Sequence, residues 1–168
     1  SAAAFGASGF VNNTTGYAIS ATGLTVPWNA ATSGLTAEGR MRITGEPGSG
    51  FTIAQVVAGS LTIRAYIDDD LSPDLRRLVL VVGAQSINAD DVLGPDAYPV
   101  PREAFFHYAL DWNADAQTAT IYINGTEYLS LTYSGTVPTT TNITSVSVGS
   151  GASGTVEVDG ARWTRNYR

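Results

Sequence analysis

Hydrophobic and polar residues alternate along this chain with a period of two, and no helical period of any length is present. Met41 and Ile43 alternate with Arg40, Arg42 and Thr44, and Leu61, Ile63, Ala65 and Ile67 with Thr62, Arg64, Tyr66 and Asp68. Phe106, Tyr108, Leu110 and Trp112 interleave with Phe105, His107, Ala109 and Asp111, and Ala119, Ile121 and Ile123 with Thr120, Tyr122 and Asn124. Each run predicts a strand with one face inward, because successive side chains leave a strand on opposite sides. Leu78-Val79-Leu80-Val81-Val82 is apolar throughout and predicts a strand covered on both faces. Turns are expected at 46–50, 68–74, 113–116 and Asn124-Gly125. The last is the strongest, since a two-residue type I′ hairpin wants positive φ at both central positions.

Between Ser86 and Arg102, with Pro95, Pro99 and Pro101, lies the longest irregular stretch. Roughly ten to thirteen strands joined by regular turns imply an all-β, two-sheet antiparallel jelly-roll sandwich. No repeat or break in composition divides the 168 residues, so one domain, 1–168, is expected. Residues 1–20 are read either as a strand of that domain or as an N-terminal arm.

Composition narrows the chemistry. There is no cysteine, which removes disulfides and thiolate metal sites, and the single histidine, His107, argues against a multi-histidine zinc site or a Ser-His-Asp triad. Nine arginines without any lysine and a net charge of −6 leave no basic stripe for a phosphate backbone, so nucleic acid is not expected as a partner. No segment approaches the ~18 apolar residues of a membrane span, and membrane insertion is not expected. The first residues lack a charged n-region and apolar core. The expectation is therefore synthesis without a secretory signal and display on an extracellular surface or a virion-like particle.

Phe105-Phe106-His107-Tyr108-Ala109-Leu110-Asp111-Trp112-Asn113, followed by Ala119-Thr120-Ile121-Tyr122-Ile123-Asn124-Gly125, resembles the concanavalin A-like and laminin G-like jelly-roll superfamily. Thr25-Val26-Pro27 with Leu35–Arg42 looks like that family's early strand pair, and Gly154–Trp163 like its closing strand. The resemblance runs over about residues 20–165. It implies the fold, and a function among lectins, adhesion modules, glycoside hydrolases and polysaccharide lyases.

The enzymatic members' motifs are incomplete here. Glu157-Val158-Asp159-Gly160-Ala161-Arg162 has two of the three acids of the laminarinase-type pattern, with Arg162 at the third position, while a retaining mechanism needs two carboxyls ~5 Å apart. Thr36-Ala37-Glu38-Gly39-Arg40 and Gln55-Val56-Val57 follow the order of an alginate-lyase-like pattern, but Thr36 replaces its first Arg and Val57 its His. Proton abstraction from a uronate needs a base, and that position is aliphatic. His107 is read as structural, on a strand face shared with Asp111.

Sugar recognition calls for flat aromatic faces beside hydrogen-bonding polar groups. Arg42, Arg64 and Tyr66 sit opposite their core neighbours; on the concave sheet they form a polar, aromatic groove for an acidic or neutral glycan, and on the convex sheet only a solvated surface. Trp28, placed in a turn after Val26-Pro27, and Tyr98, in the Pro-rich loop, are each either a lid on the barrel end or a contact residue; Trp112 and Trp163 are read as packing. Asp68, Asp69 and Asp70 (with Asp74), and less so Asp90 and Asp91 with Asp96, are acidic loops with the oxygen chemistry calcium prefers. No cofactor is expected to be required, and calcium is the one metal the sequence leaves room for. The expected function is a non-catalytic glycan-binding or adhesion module, a fibre, spike or decoration component of a phage-like particle. Its expected partners are cell-surface polysaccharide and other subunits, including copies of itself. A purely structural capsid or fibre subunit and a degenerate polysaccharide lyase are the alternatives.

Overall fold

In the computed structural model, the structure describes residues 9–10, 17–19, 24–32, 34–44, 50–68, 77–89, 100–101, 103–135, 141–150 and 155–164. Among these residues, thirteen strands run in chain order as β1 (Gly9–Phe10), β2 (Tyr17–Ile19), β3 (Leu24–Thr32), β4 (Gly34–Thr44), β5 (Phe51–Ala58), β6 (Leu61–Asp68), β7 (Arg77–Val82), β8 (Gln85–Asn88), β9 (Phe106–Asn113), β10 (Thr118–Ile123), β11 (Thr126–Thr132), β12 (Thr141–Ser150) and β13 (Thr155–Thr164). They form two antiparallel sheets, one of seven strands ordered β1-β13-β4-β9-β10-β11 with β2 also on β13, the other of six ordered β3-β12-β5-β6-β7-β8. The all-β two-sheet sandwich expected from the alternation is what the chain forms. Within the stretch read as strand or arm, residues 9–10 and 17–19 pair with β13.

The inward rows meet in one core. Leu35, Met41, Ile43, Phe106, Tyr108, Leu110, Trp112, Ile121 and Ile123 come from the seven-stranded sheet. Phe51, Val56, Ile63, Ile67, Leu78, Leu80 and Val148 come from the six-stranded one. Each fully buried aliphatic or aromatic side chain contributes about 1.5–3 kcal/mol relative to exposure, so two complete rows specify which face of every strand turns inward. Trp112 is packed as expected and its Nε1–H donates to the Tyr133 hydroxyl at 2.9 Å. The side chain of Trp163 lies outside the described residues.

Turn chemistry follows the sequence closely at Asn124-Gly125, where φ is 52° and 81°. The Asn124 backbone N–H donates to the His107 carbonyl at 2.8 Å, and its Oδ1 accepts the His107 N–H at 2.9 Å, tying the β10–β11 hairpin to the start of β9. In the turn after β9, Asn113 Oδ1 accepts the Ala116 N–H at 3.0 Å.

One expectation is corrected. Trp28 does not stand in a turn, because β3 continues through it as an edge strand. Its pairing with β12 jumps from Pro27↔Ser145 to Ala30↔Ile143, so Trp28 and Asn29 stand opposite the single residue Thr144 in a bulge. An edge strand also tolerates Pro27, which has no N–H to give. In β7, expected to be covered on both faces, Leu78, Leu80 and Val82 join the core cluster, and on the outer face Val79 is buried and Val81 half-buried.

Candidate functional site

Register across the six-stranded sheet assembles a continuous outer surface over β5–β8. One row reads Ser147, Gln55, Arg64, Val81, Ser86, and the next Thr52, Tyr66, Val79, Asn88. Asp68 and Arg77 close it at one end. With strands ~4.8 Å apart, the part from β5 to β8 is about 14 Å wide. A second bulge prepares it. Thr52 pairs with Tyr66 and Ala54 with Ala65, so Ile53 is the extra residue, and Ile53 and Ala54 both turn inward while Thr52 and Gln55 stay out.

At the centre the Arg64 guanidinium lies over the Tyr66 ring, 4.5 Å from its centroid. Arg64 Nε–H donates to Thr52 Oγ1 at 2.7 Å, and Nη2–H donates to the Gly50 carbonyl. These contacts hold the guanidinium and ring as one rigid, half-buried unit, since little rotamer freedom remains for either. Val79 lies in register with Tyr66 and is buried. Val81, half-buried, lies beside Arg64. The surface thus places the Tyr66 ring and Val81 beside the amides of Gln55 and Asn88, the Ser86 hydroxyl and the Arg64 guanidinium.

The candidate residues do not all converge. Arg64 and Tyr66 are together. Arg42 is on β4 of the other sheet, so the whole thickness of the sandwich, with sheets packed ~10 Å apart, separates it from them. There it stacks over Phe105 at 4.9 Å, beside Arg40 at 5.3 Å, and it stands in register with Glu157 of β13. The single groove of Arg42, Arg64 and Tyr66 is therefore corrected to a pair plus a residue of the opposite face. Trp28 is on the same six-stranded sheet, three strands from β6, and its side chain lies outside the described residues. Tyr98, Asp69 and Asp70 also lie outside them. Asp68 is described, and its carboxylate takes a 2.6 Å ion pair with Arg77. No group of three or more metal-ligating side chains occurs among the described residues.

The outer face of the seven-stranded sheet has a different character. Glu38 is 4% exposed, and the Nε2 of His107 lies 3.8 Å from it, on a strand where His107 pairs with Arg40. Glu157, Asp159 and Arg162 of β13 stand in register with Arg42, Arg40 and Glu38 of β4. Two segments that follow the lyase pattern are split between sheets, with Glu38 and Arg40 on β4 and Gln55 and Val57 on β5.

Alternation along β6 made Arg64 and Tyr66 legible as outward residues. Gln55, Val79, Val81 and Asn88 were missed as partners, because only the strand order and register bring them alongside.

No protein-family model matches the sequence, and no curated protein matches it. Solved structures do. The galectin LEC-6 of Caenorhabditis elegans is 13% identical over 97% of this chain and 99% of its own, with a TM-score of 0.56. The carbohydrate-binding module CBM66 of Bacillus subtilis is 14% identical over 92% and 90%, with a TM-score of 0.53. A heptameric SAP-like pentraxin of Limulus polyphemus is 13% identical over 96% and 76%, with a TM-score of 0.58. The chain has the concanavalin A-like jelly-roll fold, the fold of these lectins and carbohydrate-binding modules.

Proposed function

We propose that this chain is a glycan-binding module without catalytic chemistry, and that its site is the outer surface of β5–β8 centred on Arg64 and Tyr66. The observation that carries the reading is the stacked Arg64–Tyr66 unit beside half-buried Val81. A pyranose presents C–H patches and hydroxyls on different faces, and this strip offers apolar surface and hydrogen-bonding groups side by side. Among the fold neighbours, one is a carbohydrate-binding module and another is a toad ovary galectin in complex with N-acetylgalactose, which supports the same class of ligand.

The finer setting we propose is a multivalent one, a fibre, spike or decoration subunit of a phage-like particle facing cell-surface polysaccharide. A single open strip has modest affinity, and several copies on one particle raise it by effective concentration. On this reading the site works without calcium, because Arg77 already neutralises Asp68.

Affinity gel electrophoresis against a panel of polysaccharides tests the proposal. Tyr66→Ala is expected to weaken retardation by roughly three- to tenfold, the loss of one aromatic contact. Arg42→Ala, on the opposite sheet, is expected to leave it unchanged. Retardation that survives Tyr66→Ala and fails with Arg42→Ala would move the site to the other face and overturn the assignment.

A further inference from the structure

We infer that the sugar recognised at this surface carries an anionic group, a carboxylate or a sulfate, and that Arg64 receives it. The inference rests on the proposed glycan site and adds its chemical class. Among the described arginines, Arg77 is paired with Asp68, while Arg40 and Arg42 stand in register with Asp159 and Glu157. Arg64 differs from all three. Its neighbours in register are Gln55 and Val81, and its hydrogen-bond partners are a threonine hydroxyl and a backbone carbonyl, all of them neutral. Within a chain of net charge −6, a guanidinium is held half-buried on this surface, and among the described residues no carboxylate stands in register with it or bonds it.

Geometry says which part of Arg64 is available. Its Nε–H and an Nη2–H are engaged by Thr52 and Gly50, and one flat face lies over Tyr66. Among the described residues, Nη1 has no partner. A guanidinium docked along one edge keeps its other N–H groups directed away from that edge, in the fork that matches a carboxylate or sulfate. Partial burial strengthens such a charge-assisted bond, and holding the donor in place beforehand reduces the entropy lost on binding. The overall negative charge opposes a polyanion only at long range, because at physiological salt charges are screened within ~8 Å. Selectivity therefore comes from this one point, and a neutral glycan leaves it unmatched.

The test uses the intact chain and three polymers in affinity gels: a polyuronate, the same polymer with its carboxyls reduced to alcohols, and a sulfated polysaccharide. The wild-type chain is expected to bind the polyuronate or the sulfated polymer at least about tenfold more tightly than the reduced one, as a charge-assisted fork allows. Arg64→Gln should bring that ratio close to unity, and Thr52→Val, which removes the Nε acceptor but keeps the charge, should reduce it partly. Thermal melts of both variants confirm folding, and the wild-type ratio by itself stays decisive if Arg64→Gln fails to fold. Retention of the polyuronate alone identifies a carboxylate, and of the sulfated polymer alone a sulfate. Equal, Tyr66-dependent retention of the charged and reduced polymers would overturn this inference and leave the glycan reading standing. Retention of none of the three, together with none across a neutral panel, would overturn both.

Discussion

Two tyrosines of the core make the same substitution informative in opposite directions. The Tyr133 side chain, 3% exposed, accepts the indole N–H of fully buried Trp112 at 2.9 Å. Tyr133→Phe keeps the ring and removes the acceptor, leaving a buried N–H without a partner. Such an orphaned donor costs about 1–3 kcal/mol. For a chain of this size each kcal/mol moves Tm by about 2–4 °C, so a loss near 2 kcal/mol lowers it by roughly 4–8 °C. Tyr108 is also fully buried, but among the described residues its hydroxyl has no hydrogen-bond partner. Its desolvation is uncompensated, so Tyr108→Phe removes a penalty. After allowing for the small void left by the oxygen, the expected gain is about 1 kcal/mol, a Tm rise of roughly 2–4 °C. Thermal melts followed by circular dichroism, with urea titrations to check that the m-value is unchanged, measure both. A Tm that rises in Tyr133→Phe, or falls by several degrees in Tyr108→Phe, would refute this account of the core's polar atoms.

Burial raises the pKa of both phenols; beside Tyr108 the Glu38 charge adds to it, and at Tyr133 the bond from Trp112 opposes it. The folded state thus keeps these protons after the unfolded chain loses them, so stability is full below about pH 10 and declines above it; Tm measured from pH 9 to 11 should fall, and less steeply in Tyr108→Phe. At the β10–β11 hairpin, Asn124→Ala should cost about 1–2 kcal/mol in urea unfolding, because alanine neither favours φ 52° nor supplies the acceptor for the His107 N–H. Gly125→Ala meets no atom within 4 Å, so its cost, also about 1–2 kcal/mol, is backbone strain at φ 81° alone. Polysaccharide retention should be indifferent to a chelator, since Arg77 holds the Asp68 carboxylate at 2.6 Å; loss of retention with chelator would instead show that the acidic loop assembles a metal site.

Much of the architecture was legible because it is local. Period-two alternation named the inward residues of β4, β6, β9 and β10, and Asn124-Gly125 announced its hairpin from side-chain size alone. Alternation states that a residue points outward, but not from which sheet. Arg42 and Arg64 carry the same signal, and only the nonlocal order of strands sends them to opposite exteriors. Val79 and Val81 were hidden for a related reason: when both faces of a strand are apolar, the period vanishes. Trp28 was misplaced because the β3 bulge interrupts the alternation on which the reading depends. That Arg42 and Glu157 stand in register was also out of sight, since only the pairing of β4 with β13 makes them neighbours along the sheet.

The insertion of β12 between β3 and β5 has a consequence for how the molecule is made. Leu24 finds its partner in Val148, about 120 positions later, and β4 meets β13 only after that. While the chain is being synthesised, β3, β4 and β5 therefore wait with open edges, and long loops must close before either sheet is complete. Assembly is gated by the last strands to emerge, and chaperone dependence or aggregation during expression should concentrate in that interval.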